Sequence, residues 1–339
     1  MNIHSPHSPP RKLEDAFGRR INYLRLSVTD RCDLRCTYCM KARPEFLPKS
    51  EVLSLEELTA LGQIFIRRGV SKIRITGGEP LVRRDVVTLI ENLGQEIGAG
   101  GLSELCLTTN ATQMPLYAER IAAAGVKRVN ISLDTLNARR FAELTRTGQL
   151  SRTLDGIAAA KAAGLAIKIN TVAMKGDNEH EIEDLIAWAH GEGFDLTLIE
   201  VMPVGEVETH RSNQFLPLNV IREQLEERWT LTDLPDTTGG PSRYVRVNET
   251  GGRLGFITPL TGNFCAGCNR VRLTCTGQLH LCLGREGALD LRAALREGGP
   301  DAVDAMLDQA MQIKPEAHDF SVAPGSAPSV ARSMAETGG

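Results

Sequence analysis

The chain has 339 residues, of which 42% are hydrophobic, 24% charged and only 4% aromatic; that suits one large domain or two small ones with a real apolar core. A net charge of −3 and a pI near 6.2 exclude bulk electrostatic binding to nucleic acid or to a membrane surface. No apolar run approaches the roughly 18 residues of a membrane span, the Ala-rich stretch 157–172 being interrupted by Lys161 and Lys168. The first twenty residues lack the apolar core of a secretory signal, so a cytoplasmic protein is expected.

Residues 1–17 open rich in Pro, Ser and His and are expected as a disordered leader; 321–339, rich in Ser, Ala and Pro, are expected as a flexible tail ending in Gly338-Gly339. Between them, residues 18–214 alternate β-branched runs with helical patterns. Strands are expected at Leu24–Val28, Lys72–Thr76, Glu104–Thr109, Arg128–Leu133, Ala166–Val172 and Asp195–Met202, and helices at about 55–68, 84–97, 114–124, 151–163 and 179–190. Gly69, Gly125 and Gly164 stand just past three helical patterns, where a C′ glycine belongs. Repeated strand–helix units imply a parallel sheet with right-handed crossovers, and six of them an α/β fold of the partial (βα)6 TIM-like barrel type. From 215 to 320 the pattern becomes that of a C-terminal α+β subdomain. It has a helix near 217–228, strands at Trp229–Leu234, Tyr244–Asn248 and Leu254–Thr258 joined by Gly-rich turns, and helices near 288–297 and 300–311.

The strands alternate instead of reading as the continuous apolar runs of fully buried parallel strands. Arg25 and Ser27, Lys72, Arg74 and Thr76, Thr108 and Asn110, Asn130, Ser132 and Asp134, and Lys168 and Asn170 each fall on one side of their strand. Helices should cover the other side, so a polar inner face implies a wet or ligand-filled interior. Arg25, Lys72, Arg74, Lys168, Arg270 and Arg272 would point six cations into it. Buried like charges are costly without an anion, and a triphosphate with Mg²⁺ would supply one, with arginines offering bidentate contacts. There is no G-x4-GK[ST] loop, so an ordinary P-loop NTPase is excluded.

Eight cysteines in a reducing compartment argue for metal or redox ligation over disulfides. Cys106 stands alone in an apolar stretch and is expected as a small buried hydrophobe. Directly after the first strand, Cys32, Cys36 and Cys39 form a C-x3-C-x2-C loop. Three thiolates there suit a [4Fe–4S] cube with one iron left open, whereas zinc would require a fourth donor, and no His or Cys lies between 40 and 103. The second group, Cys265-x2-Cys268-x13-Cys282, leaves a zinc alternative open, because Cys275 would complete four thiolates and His280 is close.

The first cysteine loop, with Tyr38 before its third Cys, resembles that of the radical S-adenosylmethionine (SAM) superfamily, and Thr76-Gly77-Gly78-Glu79-Pro80 is similar to its glycine-rich segment, whose glycines would allow close backbone approach and positive φ. The segments LRLSVTDRCDLRCTYC, KIRITGGEPL, LTTN, NISLD and FCAGCNRVRLT, the second cysteine group and the terminal Gly-Gly resemble, from about Gly18 to Arg296, the GTP 3′,8-cyclase family of molybdenum cofactor biosynthesis. The resemblance implies a lyase that converts GTP to (8S)-3′,8-cyclo-7,8-dihydroguanosine 5′-triphosphate, after a 5′-deoxyadenosyl radical from SAM abstracts the ribose 3′ hydrogen. It implies two [4Fe–4S] clusters, one on Cys32, Cys36 and Cys39 and one on Cys265, Cys268 and Cys282, the second with an open iron for guanine. It casts Tyr38, Gly78, Ser132 and Met202 as SAM contacts. Arg25, Arg74, Thr108, Lys168, Arg270, Val271 and Arg272 become GTP contacts, with Lys72 as a phosphate partner. No side chain is required as acid or base. A homodimer, a reductant such as flavodoxin, a downstream cyclic pyranopterin monophosphate synthase and a Gly-Gly tail reaching into an active site are implied too. The competing readings are another twin-cluster radical SAM enzyme acting on peptides, and a non-catalytic Fe–S or zinc protein.

Overall fold

The computed structural model describes residues 12–208, 211–235, 239–322 and 327–338. Strands β1 (Tyr23–Ser27), β2 (Lys72–Thr76), β3 (Glu104–Thr109), β4 (Arg128–Ser132), β5 (Ala166–Ala173) and β6 (Asp195–Glu200) lie side by side in chain order, all parallel. Helices α1 (Leu55–Arg67), α2 (Val86–Gly94), α3 (Met114–Ala123), α4 (Ala138–Thr145), α5 (Leu150–Ala162) and α6 (Ile182–Gly191) return the chain between them. The start of α1 is fixed by a reciprocal Ser54–Glu57 capping box, and Gly69, Gly125 and Gly164 all have positive φ. The alternation works as expected: Leu24, Leu26, Ile73, Ile75, Val129 and Ile131 belong to one continuous core under the helices, and the polar set faces the other way.

The strands of 215–320 join this sheet instead of forming a detached layer. After α7 (Arg211–Gln214) and α8 (Leu218–Glu226), the antiparallel run β7 (Leu231–Leu234), β8 (Arg243–Val247) and β9 (Arg253–Ile257) attaches to β6 through parallel pairing of β9. The chain then crosses to the opposite edge, where β10 (Arg270–Leu273) pairs parallel with β1, followed by β11 (Gln278–His280) and β12 (Leu289–Asp290). One 12-stranded sheet results, with both edges of the six-strand unit paired, which removes the open edges of a partial barrel. The two C-terminal helices expected are halves of α9 (Leu291–Ile313), broken at Gly299-Pro300.

Two expectations of disorder are corrected within the described residues. Leu13 is fully buried, its N–H donates to the Arg68 carbonyl, Asp15 is buried and Glu14 bridges Arg20, so 12–17 are anchored to the fold; leader residues 1–11 lie outside the described set. In the tail, Val330, Ala335 and Thr337 are buried and α10 (Met334–Thr337) carries its own Ser333–Glu336 capping box. Residues 323–326 and Gly339 are outside the described set. A composition rich in Ser, Ala and Pro signals little local structure, but here long-range contacts supply the order.

Candidate active site

The inner face of the sheet opens on two adjoining cavities, which share Asn170, Ile199, Met202 and Met334. The first receives Cys32, Cys36 and Cys39 from the loop after β1. That loop is tied to the end of β2: the Gly78 and Glu79 N–H groups donate to the carbonyls of Thr29 and Arg31, both at 2.8 Å. A Cβ at Gly78 would stand 2.4 Å from the Arg31 carbonyl oxygen, so glycine is needed here for close packing on the cysteine loop. Neither Gly77 nor Gly78 has positive φ, so that part of the expectation is corrected.

The carboxylate Glu79 is fully buried and accepts from the Asn110 N–H at 2.6 Å, the Thr109 hydroxyl at 2.8 Å and the Leu81 N–H at 3.0 Å. Burial nevertheless raises its pKa to about 7. Asp134 accepts from the Tyr38 hydroxyl at 2.7 Å and the Val172 N–H at 2.9 Å, and burial raises it to about 6. Tyr38, Gly78, Ser132 and Met202 all border this cavity, as expected of one ligand's contacts; Thr108 also falls here, not in the second cavity. Burial pushes the Cys36 thiol well up and that of Cys39 up to about 11, the latter opposed by the Arg211 guanidinium and by a backbone N–H from Ala335.

The second cavity brings Cys265, Cys268 and Cys282 together with Arg25, Arg74, Lys168, Arg270 and Arg272. Pairing explains the convergence. Arg272, Arg25 and Arg74 stand in register on β10, β1 and β2, an arrangement of like charges that is unfavourable by itself. Burial first, and then the charges of Arg74 and Arg270, bring the Arg25 pKa down to about 10 against the opposing effect of Tyr23. Lys168 donates to the Tyr244 hydroxyl at 2.6 Å, yet burial brings it down to about 8. Val271 borders the cavity while its side chain belongs to the main core.

Lys72 departs from expectation. It lines neither cavity; its ammonium pairs with Glu104 at 2.7 Å and lies over the Tyr23 ring. Two residues before Arg74 on the same face, it is one pleat further from the strand ends, in register with Glu104 on β3. Cys275 also stays out of both cavities; it is buried among Asp30 and Arg83, so it does not complete a four-cysteine site. His280 does border the second cavity, held neutral by burial at about 4.

The tail was the least legible part. The Gly338 carbonyl accepts from Arg25 at 3.2 Å and from Arg272 at 2.5 Å, which places the chain end against the cationic row. A Cβ at Gly338 would overlap Thr76 Oγ1 at 1.8 Å. Arg332 anchors the segment by donating to the carbonyls of Cys282, Leu283 and Arg285 at 3.0, 2.7 and 2.7 Å.

Profiles of two families match the chain: the Radical SAM superfamily over residues 26–189 and Molybdenum Cofactor Synthesis C over 194–320. A GTP 3′,8-cyclase of Erythrobacter litoralis is 66% identical over 97% of this chain and 99% of its own length, and one of Rhodopseudomonas palustris is 56% identical over 99% and 98%. The chain belongs to the GTP 3′,8-cyclase family. Among solved structures, Streptococcus suis SuiB bound to S-adenosylmethionine gives a TM-score of 0.60 at 18% identity over 83% of this chain and 64% of its own; at that identity the likeness concerns the fold. A radical SAM cyclase family brings SAM and an iron–sulfur cluster as cofactors. The residues present fit them. Each cysteine triad lines a cavity, and the buried hydroxyls of Thr76 and Thr108 beside the first triad have no hydrogen-bond partner among the described residues.

Proposed function

We propose that this chain is a GTP 3′,8-cyclase in which the first cavity holds SAM and the second holds GTP. The observation that supports it most is the adjacency of two cysteine-lined cavities, the second bearing five converging cations. Cys32, Cys36 and Cys39 would hold one [4Fe–4S] cluster and Cys265, Cys268 and Cys282 a second, beside which the guanine base would be placed. When bound, the first cluster and SAM supply the 5′-deoxyadenosyl radical that removes the ribose 3′ hydrogen before C3′ joins guanine C8. The protein's part is placement and exclusion of water. Tyr38, Gly78, Ser132 and Met202 contact SAM. Arg25, Arg74, Lys168, Arg270 and Arg272, with Val271 beside them, hold the triphosphate and its Mg²⁺. Thr108, which lines the first cavity, would reach the same substrate only across the junction of the two cavities. Lys72 reaches phosphate only by leaving Glu104.

The further reading is of a cytoplasmic homodimer, reduced by a flavodoxin-type donor, whose product passes to a cyclic pyranopterin monophosphate synthase. Among the described residues no helix is long and apolar enough to cross a membrane. Residues 18–214 form the radical SAM unit and 215–320 the auxiliary-cluster unit. The test is anaerobic turnover of reconstituted protein with SAM and dithionite, with and without GTP. Deoxyadenosine appearing only with GTP, beside an isomer of GTP by mass spectrometry, is expected. SAM cleavage indifferent to GTP would remove the substrate, and no cleavage by loaded protein would remove the enzyme.

A further inference from the structure

Lys314, just after α9, is 2% exposed. Its ammonium donates to the Leu281 carbonyl at 2.5 Å and lies 3.8 Å from Cys268 Sγ. It also acts electrostatically on Cys282. Among the described residues no carboxylate pairs with it; its partners are a carbonyl and a sulfur. A buried ammonium without an anion is costly, so the position calls for negative charge at the thiols it faces. Arg270, the other cation acting on Cys268, has its guanidinium over the Phe264 ring, 5.2 Å from the centroid. Both cations act on the Cys268 sulfur, Arg270 the more strongly, and Lys314 is the fully buried one, its ammonium 3.8 Å from the sulfur.

Three thiolates on a doubly positive cube leave one net negative charge, and one-electron reduction adds another. We propose that Lys314 is a positioning residue for the second cluster, donating to the Cys268 sulfur and favouring the reduced state electrostatically. The proposal rests on the second cysteine triad holding a cube. An outer hydrogen bond to a ligand sulfur raises a cluster's potential and helps retain it. The expected sign is thus a more negative potential when the ammonium is removed.

The test uses the full chain reconstituted anaerobically, with Lys314→Met and Lys314→Arg. Iron is counted and both clusters are titrated by electron paramagnetic resonance against dithionite. Lys314→Met is expected to keep about eight irons and the first cluster's midpoint. At the original midpoint of the second cluster, its reduced-to-oxidised ratio should fall about tenfold, a shift of about 59 mV for a one-electron couple. Lys314→Arg should restore most of this. The cluster-free Lys314→Met protein should melt no lower than the unaltered one, because it loses an uncompensated charge. An unchanged second midpoint at full iron overturns the proposal and leaves two clusters standing. Absence of a second cluster signal from the unaltered protein overturns the two-cluster reading itself.

Discussion

The two cavities share a wall but have opposite electrostatics. The first places Glu79 and Asp134 near its thiols, and burial holds the thiols of Cys36 and Cys39 protonated. In the second, burial still raises Cys282, but at Cys268 the charges of Arg270 and Lys314 outweigh burial and the thiol is lowered. A site of the first kind forms thiolates only as positively charged iron displaces their protons. A site of the second kind has its countercharge built in and room left for an anion. Under the proposed function, the first cavity is that of the cofactor and the second that of a polyanionic substrate.

The sharpest way to break this division is to remove one ligand from each side. Cys36→Ser should take SAM cleavage to background, because the first cluster is where the cofactor is held. Cys268→Ser keeps the cationic contacts to the triphosphate, so it should keep GTP-dependent SAM cleavage but lose cyclisation. Deoxyadenosine and product measured in the same anaerobic reactions decide it, and cyclisation surviving in Cys268→Ser removes guanine from the second triad.

A smaller effect should appear in the cluster-free protein. The thiolate is the reactive form, so Cys268 should alkylate with iodoacetamide at neutral pH about ten times faster than Cys36 or Cys39. Peptide mapping after timed quenching measures this, and equal rates would mean that the electrostatic contrast is absent. Next in size is a pH effect on the substrate side. Burial lowers Lys168 to about 8, so its charge is complete below that pH and is lost as pH rises through it. Bound triphosphate favours the charged form, so binding takes up a proton above pH 8 and the KM for GTP should rise roughly three- to tenfold between pH 8 and 9. Lys168→Arg, which stays charged, should flatten the profile. A rise that persists in the arginine variant would assign it to another group.

Legibility followed the range of the contacts. The six strand–helix units and the polar face were readable because period-two alternation and C′ glycines are local signals. The cysteine spacings were readable for the same reason. Lys72 was misplaced because alternation fixes which side of a strand a residue faces but not how far along it the ligand extends; the register with Glu104 on β3 decides that. Tyr38 with Asp134, Lys168 with Tyr244, and Arg332 with the carbonyls around Cys282 join residues 96, 76 and about 50 apart. No local pattern announces such pairs. The split of 215–320 across both sheet edges was hidden likewise, since β9 and β10 are neighbours in sequence and stand at opposite ends of the six parallel strands.

The smallest expected effect tests the metal assignment most directly. Cys275 lies seven residues from Cys268 and seven from Cys282, close enough in sequence to serve as a fourth thiolate in a closed zinc site. In the fold it stands in the turn between β10 and β11 and lines neither cavity. Its carbonyl accepts from the Leu53 N–H at 2.8 Å, and its thiol is raised to about 12, chiefly by burial and then by Asp30. A buried thiol held protonated away from both cavities is a packing group. Cys275→Ala should therefore leave iron content, both cluster spectra and cyclisation unchanged, at a stability cost of about 1–2 kcal/mol from the small cavity created. Calorimetry and iron analysis on one preparation separate the two readings. Loss of metal on this substitution would return the second triad to a four-cysteine site, and with it the guanine position would close.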